Sequence, residues 1–164
     1  MELAVFNSLD NSEAADVLRP CIDIDRWVNE LIAARPFTDV SDLTQAAERS
    51  ANPFTAQEIE AALAHHPRIG ERAAGESAEA KLSRNEQAAL NLDEDVNARL
   101  IEANRAYEER FSRVFLIRAA GRTTEEILAE CQRRLGNDDD TELREVAEQL
   151  RAIAVLRLSN AVQN

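Results

Sequence analysis

Lysine is nearly missing from this chain. Lys81 is the only one, and 19 basic residues face 31 acidic ones for a net charge of −12. Nucleic-acid surfaces draw most of their affinity from basic patches that release counterions. Here the arginines are interleaved with acids, so a nucleic-acid partner is not expected. Glycine and proline are also scarce, at four each, while Ala, Leu, Glu and Arg dominate, a balance that favours helices. Only Cys21 and Cys131 carry thiols. They are far apart and lack C-x-x-C spacing, so they read as free buried thiols suited to a reducing compartment. No stretch approaches the roughly 20 apolar residues of a membrane span. The first residues, Met1-Glu2-Leu3-Ala4-Val5-Phe6-Asn7, have neither a basic region nor a long apolar run, so no secretory leader is expected. Val162-Gln163-Asn164 is not a peroxisomal tail. Together these absences lead to the expectation of a cytoplasmic protein with no membrane association.

What is present is a chain of 164 residues, 45% hydrophobic and 30% charged. That is globular in character and long enough to bury a core, and a single domain over 1–164 is expected. Apolar spacing is helical almost throughout. Trp27, Leu31 and Ala34 follow i, i+4, i+7, as do Ile59, Leu63 and His66. Asn97, Leu100, Ile101, Asn104, Tyr107 and Phe111 form a central stripe. Ile127, Leu128, Cys131 and Leu135 form another, and Leu143, Val146, Leu150, Ile153, Leu156 and Leu158 the last. Asp10-x-x-Glu13, Thr55-x-x-Glu58, Ser83-x-x-Glu86 and Thr123-x-x-Glu126 have the spacing of capping boxes, and Pro20, Pro36, Gly70 and Gly136 mark stops. Val114-Phe115-Leu116-Ile117 alone looks extended and has no partner strand. Gly70 to Leu82 is polar and reads as a crossing loop. The expected fold is all-α, a single-domain bundle of about seven or eight helices.

Both histidines stand together in His65-His66-Pro67-Arg68-Ile69-Gly70, at what reads as a helix end. Histidine is the side chain whose unperturbed pKa lies nearest neutrality, which makes this the place to look for proton transfer. Adjacent helical residues point about 100° apart, so the pair is a poor chelate, and no metal is expected. A histidine at a helix C-terminus can also serve the helix alone, by bonding the last carbonyls. Pro67 stops the helix directly after His66, and Gly70 permits a sharp turn, which would project His66 over the following loop. Ser83 and Glu86 fit a cap as well as they fit a site. The cap reading leaves Gln87 free and puts Glu86 in a first turn, where open backbone N–H groups favour anions. Arg157 lies amid Ile153, Leu156 and Leu158. It suits either a structural ion pair or a planar donor for a substrate carboxylate or carbonyl.

Taken in order, Cys21, Trp27, Arg35-Pro36-Phe37, Leu43, Ala47, His66-Pro67-Arg68-Ile69-Gly70, Glu86-Gln87, Asn104-x-x-Tyr107-x-x-x-Phe111, Phe115, Gly121 and Leu156-Arg157-Leu158 carry a resemblance. The chain resembles the 2-oxo-4-hydroxy-4-carboxy-5-ureidoimidazoline (OHCU) decarboxylase family, which makes (S)-allantoin in urate breakdown, over nearly its whole length. The resemblance implies an all-α fold, a homodimer and no cofactor. It implies that His66 is the essential catalytic residue and Glu86 its partner. Pro67, Ser83, Gln87 and Arg157 would bind substrate, with main-chain groups near Ile117 completing the pocket. Two departures stand out. The family's F-x-F-P-F is here Phe111-Ser112-Arg113-Val114-Phe115, and its A-G-L after the Glu-Gln pair is here Ala88-Ala89-Leu90-Asn91-Leu92. Neither removes a proposed side chain.

The implied chemistry suits a chain with no cofactor motif. The OHCU carboxylate sits on a carbon next to a C=N bond, so the substrate supplies its own electron sink. Two rival readings remain at this level: a non-catalytic acidic helical interaction domain, and another cofactor-free enzyme of ureide or purine breakdown on the same scaffold.

Overall fold

The computed structural model describes residues 1–64, 66, 81–82, 85–86 and 94–164. Among the described residues there are eight bounded helices: α1 (Leu3–Ser8), α2 (Asn11–Leu18), α3 (Asp25–Ala33), α4 (Val40–Ser50), α5 (Ala56–Leu63), α6 (Glu94–Phe111), α7 (Thr124–Arg134) and α8 (Asp139–Ala161). Residues 81–82 and 85–86 are helical as well, so the expected loop over 70–82 ends before Lys81. The only β pairing among the described residues is an isolated parallel bridge between Glu2 and Gln163. The fold is all-α, as expected. The chain divides into two compact units, Met1–Ala62 with Leu150–Asn164, and Leu63–Gln149.

In the first unit α3 packs against α2 and α4. Trp27, Leu31, Leu18, Ile22, Leu43 and Ile59 are essentially inaccessible, which is where the helical spacing of Trp27 and Leu31 pointed. The Trp27 indole N–H, buried with its ring, donates to the Ala47 carbonyl at 3.0 Å. That bond removes the penalty of an unpaired donor in an apolar interior. Three of the four capping boxes are present: Asp10 with Glu13, Thr55 with Glu58, and Thr123 with Glu126, each pair exchanging side-chain and backbone bonds. The fourth, Ser83 with Glu86, involves a residue outside the described ones. Arg26 grips Glu58 bidentately, Nε to Oε2 at 3.0 Å and Nη2 to Oε1 at 3.1 Å, tying α3 to the start of α5.

The second unit centres on α6 packed against α7. Its core runs through Leu100, Ala103, Tyr107, Phe111, Phe115, Ile117, Ile127, Leu128 and Cys131. The central stripe differs in one member from its spacing, because Ile101 is 46% exposed while Ala103 turns inward. Leu100 and Tyr107 set the buried face, and Ile101 falls about 100° from Leu100 around the helix. Ser112 ends α6 in the left-handed region, at φ 55°. The chain then runs past Phe115 and Ile117 as neither helix nor strand. Gly121, at φ +79°, makes the turn that leads into α7, a backbone setting that glycine adopts without a Cβ penalty.

Cys21 and Cys131 are both free and buried. Burial pushes the Cys131 thiol up from 9.0 to about 11. The folded protein therefore holds that proton more tightly than the unfolded chain does. This contribution to stability is complete below pH 9, and it is lost as pH rises from 9 through 11. At pH 8 Cys131 is expected to resist alkylation in the native protein and to react in denaturant, which a thiol titration with mass readout checks. Rapid native labelling at Cys131 would show that this core opens readily.

Candidate active site

His66 follows α5 rather than ending it. The helix stops at Leu63, and the His66 N–H donates to the Leu63 carbonyl at 3.1 Å, a tight turn beyond the helical ladder. The spacing of Ile59, Leu63 and His66 would keep one helix going, and the structure ends it three residues sooner. The reason is local: a residue before proline is steered away from helical backbone, and His66 precedes Pro67. His66 is nonetheless only 9% exposed. Glu86 lies half-buried on helical backbone. Both belong to the second unit, as does Ile117. Pro67, Ser83 and Gln87 lie outside the described residues, as does His65.

Ile117 sits in the irregular stretch between α6 and α7 and is 2% exposed. Its two neighbours are held by side chains. The Leu116 carbonyl accepts from Arg134 Nη1 at 2.8 Å, and the Arg118 N–H donates to Gln149 Oε1 at 2.9 Å. Among the described residues no hydrogen bond uses the N–H or the C=O of Ile117 itself. A buried main-chain donor and acceptor are thus left open next to one another, where backbone groups are almost always paired.

The Arg134 side chain is itself fixed by a buried network. Glu142, fully inaccessible, accepts at Oε1 from the Tyr107 hydroxyl and from Arg134 Nε at 2.8 Å and Nη2, and at Oε2 from Asn137 at 3.0 Å. The Arg134 guanidinium also lies 4.6 Å from the Phe115 ring centroid. Burial, then the hydrogen bond to Glu142, pushes the Tyr107 phenol well above its ordinary range, so it stays a donor. Sequence reasoning placed Tyr107 in the apolar stripe but missed Arg134, Glu142 and Gln149. The available signal was Arg134, an arginine three residues after Cys131 on the buried face of α7.

Arg157 belongs to the first unit, on the C-terminal part of α8. It is 2% exposed, and its Nη1 faces the carbonyls of Pro20 and Cys21, at 3.3 and 3.5 Å. These main-chain acceptors just after α2 were not anticipated, since the expected partner was either an acid of the chain or a substrate carboxylate or carbonyl. Arg157 is the kind of buried, planar, permanently charged donor that a carbonyl- or carboxylate-binding site employs.

A model of one known family matches residues 7–159, that of OHCU decarboxylase. The chain belongs to the OHCU decarboxylase family. The 2-oxo-4-hydroxy-4-carboxy-5-ureidoimidazoline decarboxylase of Haloferax volcanii is 29% identical over 163 residues, covering 97% of this chain and 95% of the relative. The protein of the same name from Amia calva is 28% identical over 167 residues, covering 99% and 95%. In fold, the chain resembles an OHCU decarboxylase structure determined in the presence of (S)-allantoin, with TM-score 0.69 at 21% identity over 88% of this chain and 96% of that one. It also resembles an (S)-allantoin synthase structure, with TM-score 0.72 at 18% identity over 99% of this chain and 54% of that one. Family membership makes this chain an enzyme, a carboxy-lyase.

Proposed function

We propose that this protein decarboxylates 2-oxo-4-hydroxy-4-carboxy-5-ureidoimidazoline to (S)-allantoin in urate breakdown, without a cofactor and as a homodimer. The observation that carries the reading is family membership over residues 7–159 together with His66, a nine-tenths-buried histidine in the position of the family's H-P-x-x-G motif. The two relatives named above carry this activity in their names.

The substrate sets the task. Breaking the bond between the ring carbon and its carboxylate releases CO2 and leaves an electron pair, which moves onto the adjacent C=N nitrogen. Protonation of that nitrogen, protonation at the ureido-bearing carbon and loss of the hydroxyl proton then give the ring carbonyl of allantoin. Overall, one carboxylate and one proton become CO2 and product. What the protein must add is orientation, a polar surround for the shifting charge and one directed proton. His66 is assigned as the acid/base that delivers the proton to one ring face and so sets the S configuration. Glu86 holds His66 or the substrate hydroxyl in register. Pro67, Ser83, Gln87 and Arg157 bind the ureido and ring groups, with the open N–H and C=O of Ile117 as main-chain partners. The Ile117 pair supports this assignment, because one donor and one acceptor side by side match the alternating N–H and C=O edge of a ureide.

The test is to generate OHCU afresh and follow the optical activity of the allantoin formed. Protonation in water has no preferred face and yields racemic product, so the expected result is rapid appearance of dextro- or laevorotation belonging to the S form alone. A racemic product forming at the rate of the enzyme-free control would remove the assignment. It would favour an acidic helical interaction domain or another ureide-breakdown enzyme.

A further inference from the structure

The irregular segment around Ile117 belongs to no helix or β ladder, so no regular backbone pairing fixes how its peptide planes face. Among the described residues the cis peptide bonds are those before Pro36 and Pro53, so the peptides on both sides of Ile117 are trans. In a trans peptide the C=O and N–H point in opposite directions. The plane shared by Leu116 and Ile117 is set at its C=O end by Arg134, at 2.8 Å, which turns the Ile117 N–H away from that side chain. The plane shared by Ile117 and Arg118 is set at its N–H end by Gln149, at 2.9 Å, which turns the Ile117 C=O away in the same manner. Each clamp uses one end of a peptide and leaves the other end, on Ile117, open.

We infer that Gln149, on α8, is a positioning residue for the reaction: by accepting from the Arg118 N–H it aims the Ile117 carbonyl at the substrate's ureide N–H groups. Arg134 performs the matching service for the Ile117 N–H, but it is locked into the buried Glu142 network, where a substitution acts on the whole core. Gln149 is only half-buried, and among the described residues only the Arg118 N–H donates to its side-chain amide oxygen. It can therefore be replaced without dismantling the unit. The inference rests on the proposed role of Ile117 in substrate binding. It adds a residue that touches no substrate and acts through a peptide plane.

The experiment compares Gln149→Leu with Gln149→Glu in steady-state turnover of freshly generated OHCU, alongside thermal unfolding. Leucine keeps the volume and loses the acceptor, whereas glutamate keeps an oxygen that can accept from the Arg118 N–H. A misaimed carbonyl weakens binding in ground and transition state alike, so the leucine variant is expected to raise KM about tenfold with kcat within about threefold. The glutamate variant should recover KM to within about threefold of the parent. A purely structural role would lower the folded fraction, seen as reduced kcat at unchanged KM and a lower Tm. That pattern, or equal KM values for the leucine variant and the parent, would overturn the inference while leaving the decarboxylase reading intact. If the parent itself does not convert OHCU, the reading falls first and takes this inference with it.

Discussion

His66→Ala is expected to lower turnover of OHCU by about 10²–10⁴-fold, the usual worth of a positioned acid/base, while leaving the helical circular dichroism spectrum unchanged. The size of the effect follows from what His66 is asked to do. Loss of CO2 needs no proton from the protein, because the C=N bond takes the electrons, but the next step needs one proton on one face. Without His66 that proton comes from water, which reaches both faces, so residual product should drift toward racemic. Rate and optical purity should therefore fall together. The fold should tolerate the change. His66 lies past the end of α5, and its backbone N–H, which any residue supplies, makes the turn to Leu63. His65→Ala is the control, with an expected change of less than about threefold, since the proposed reaction assigns His65 no role. Retention of full rate and full optical purity by His66→Ala would remove the assignment of this residue.

The largest effect on stability is expected at the Tyr107–Glu142–Arg134 network. Arg134 and Glu142 are 1% and 0% exposed, so each charge is out of water and depends on the other. Glu142→Leu leaves the Arg134 guanidinium, the Tyr107 hydroxyl and an Asn137 amide without the acceptor that all three share. Breaking a buried pair from one side typically costs about 3–5 kcal/mol. For a chain of this size that lowers the melting temperature by on the order of 10 °C. Arg134→Met should cost a similar amount. The double variant should lose clearly less than the sum, because it removes both buried charges and leaves apolar groups of similar volume. A surface comparison sets the scale. Arg133 is the next residue along, half-exposed and paired with Glu130 and Glu145. Arg133→Ala should change stability by less than about 1 kcal/mol, since water and mobile ions screen that pair. Additive losses in the double variant, measured by urea unfolding, would show that the two buried residues do not depend on one another.

Much of the helical scaffold was legible because its signals are local. Asp10 with Glu13, Thr55 with Glu58 and Thr123 with Glu126 each place a cap within a single turn. A chain that can satisfy its first N–H groups that way does so wherever it folds. Trp27 and Leu31, or Leu100 and Tyr107, reveal a buried face because helical pitch is constant. The same reasoning failed where a neighbour outside the pattern mattered. α5 stops at Leu63, three residues before the end that Pro67 and the spacing of Ile59, Leu63 and His66 had marked. The pairing of Leu100 with Ile101 could not show which of the two faces inward.

The sequence by itself determined the all-α character, the main helix boundaries, the buried thiols and the family. Each of these depends on composition, short-range spacing or a motif read in order. Only the tertiary structure decided that Tyr107, Arg134 and Glu142 share one buried oxygen, that Arg157 meets the carbonyls of Pro20 and Cys21, and that Arg134 and Gln149 clamp the peptides beside Ile117. These partners lie from 8 to 137 residues apart along the chain. In a chain with 31 acids and 19 bases, charge alone leaves the choice of partner wide open. What selects among them is burial: a charge or peptide group taken out of water must find the one acceptor or donor that packing brings within reach. That selection is a property of the assembled interior, and no periodicity along the chain encodes it.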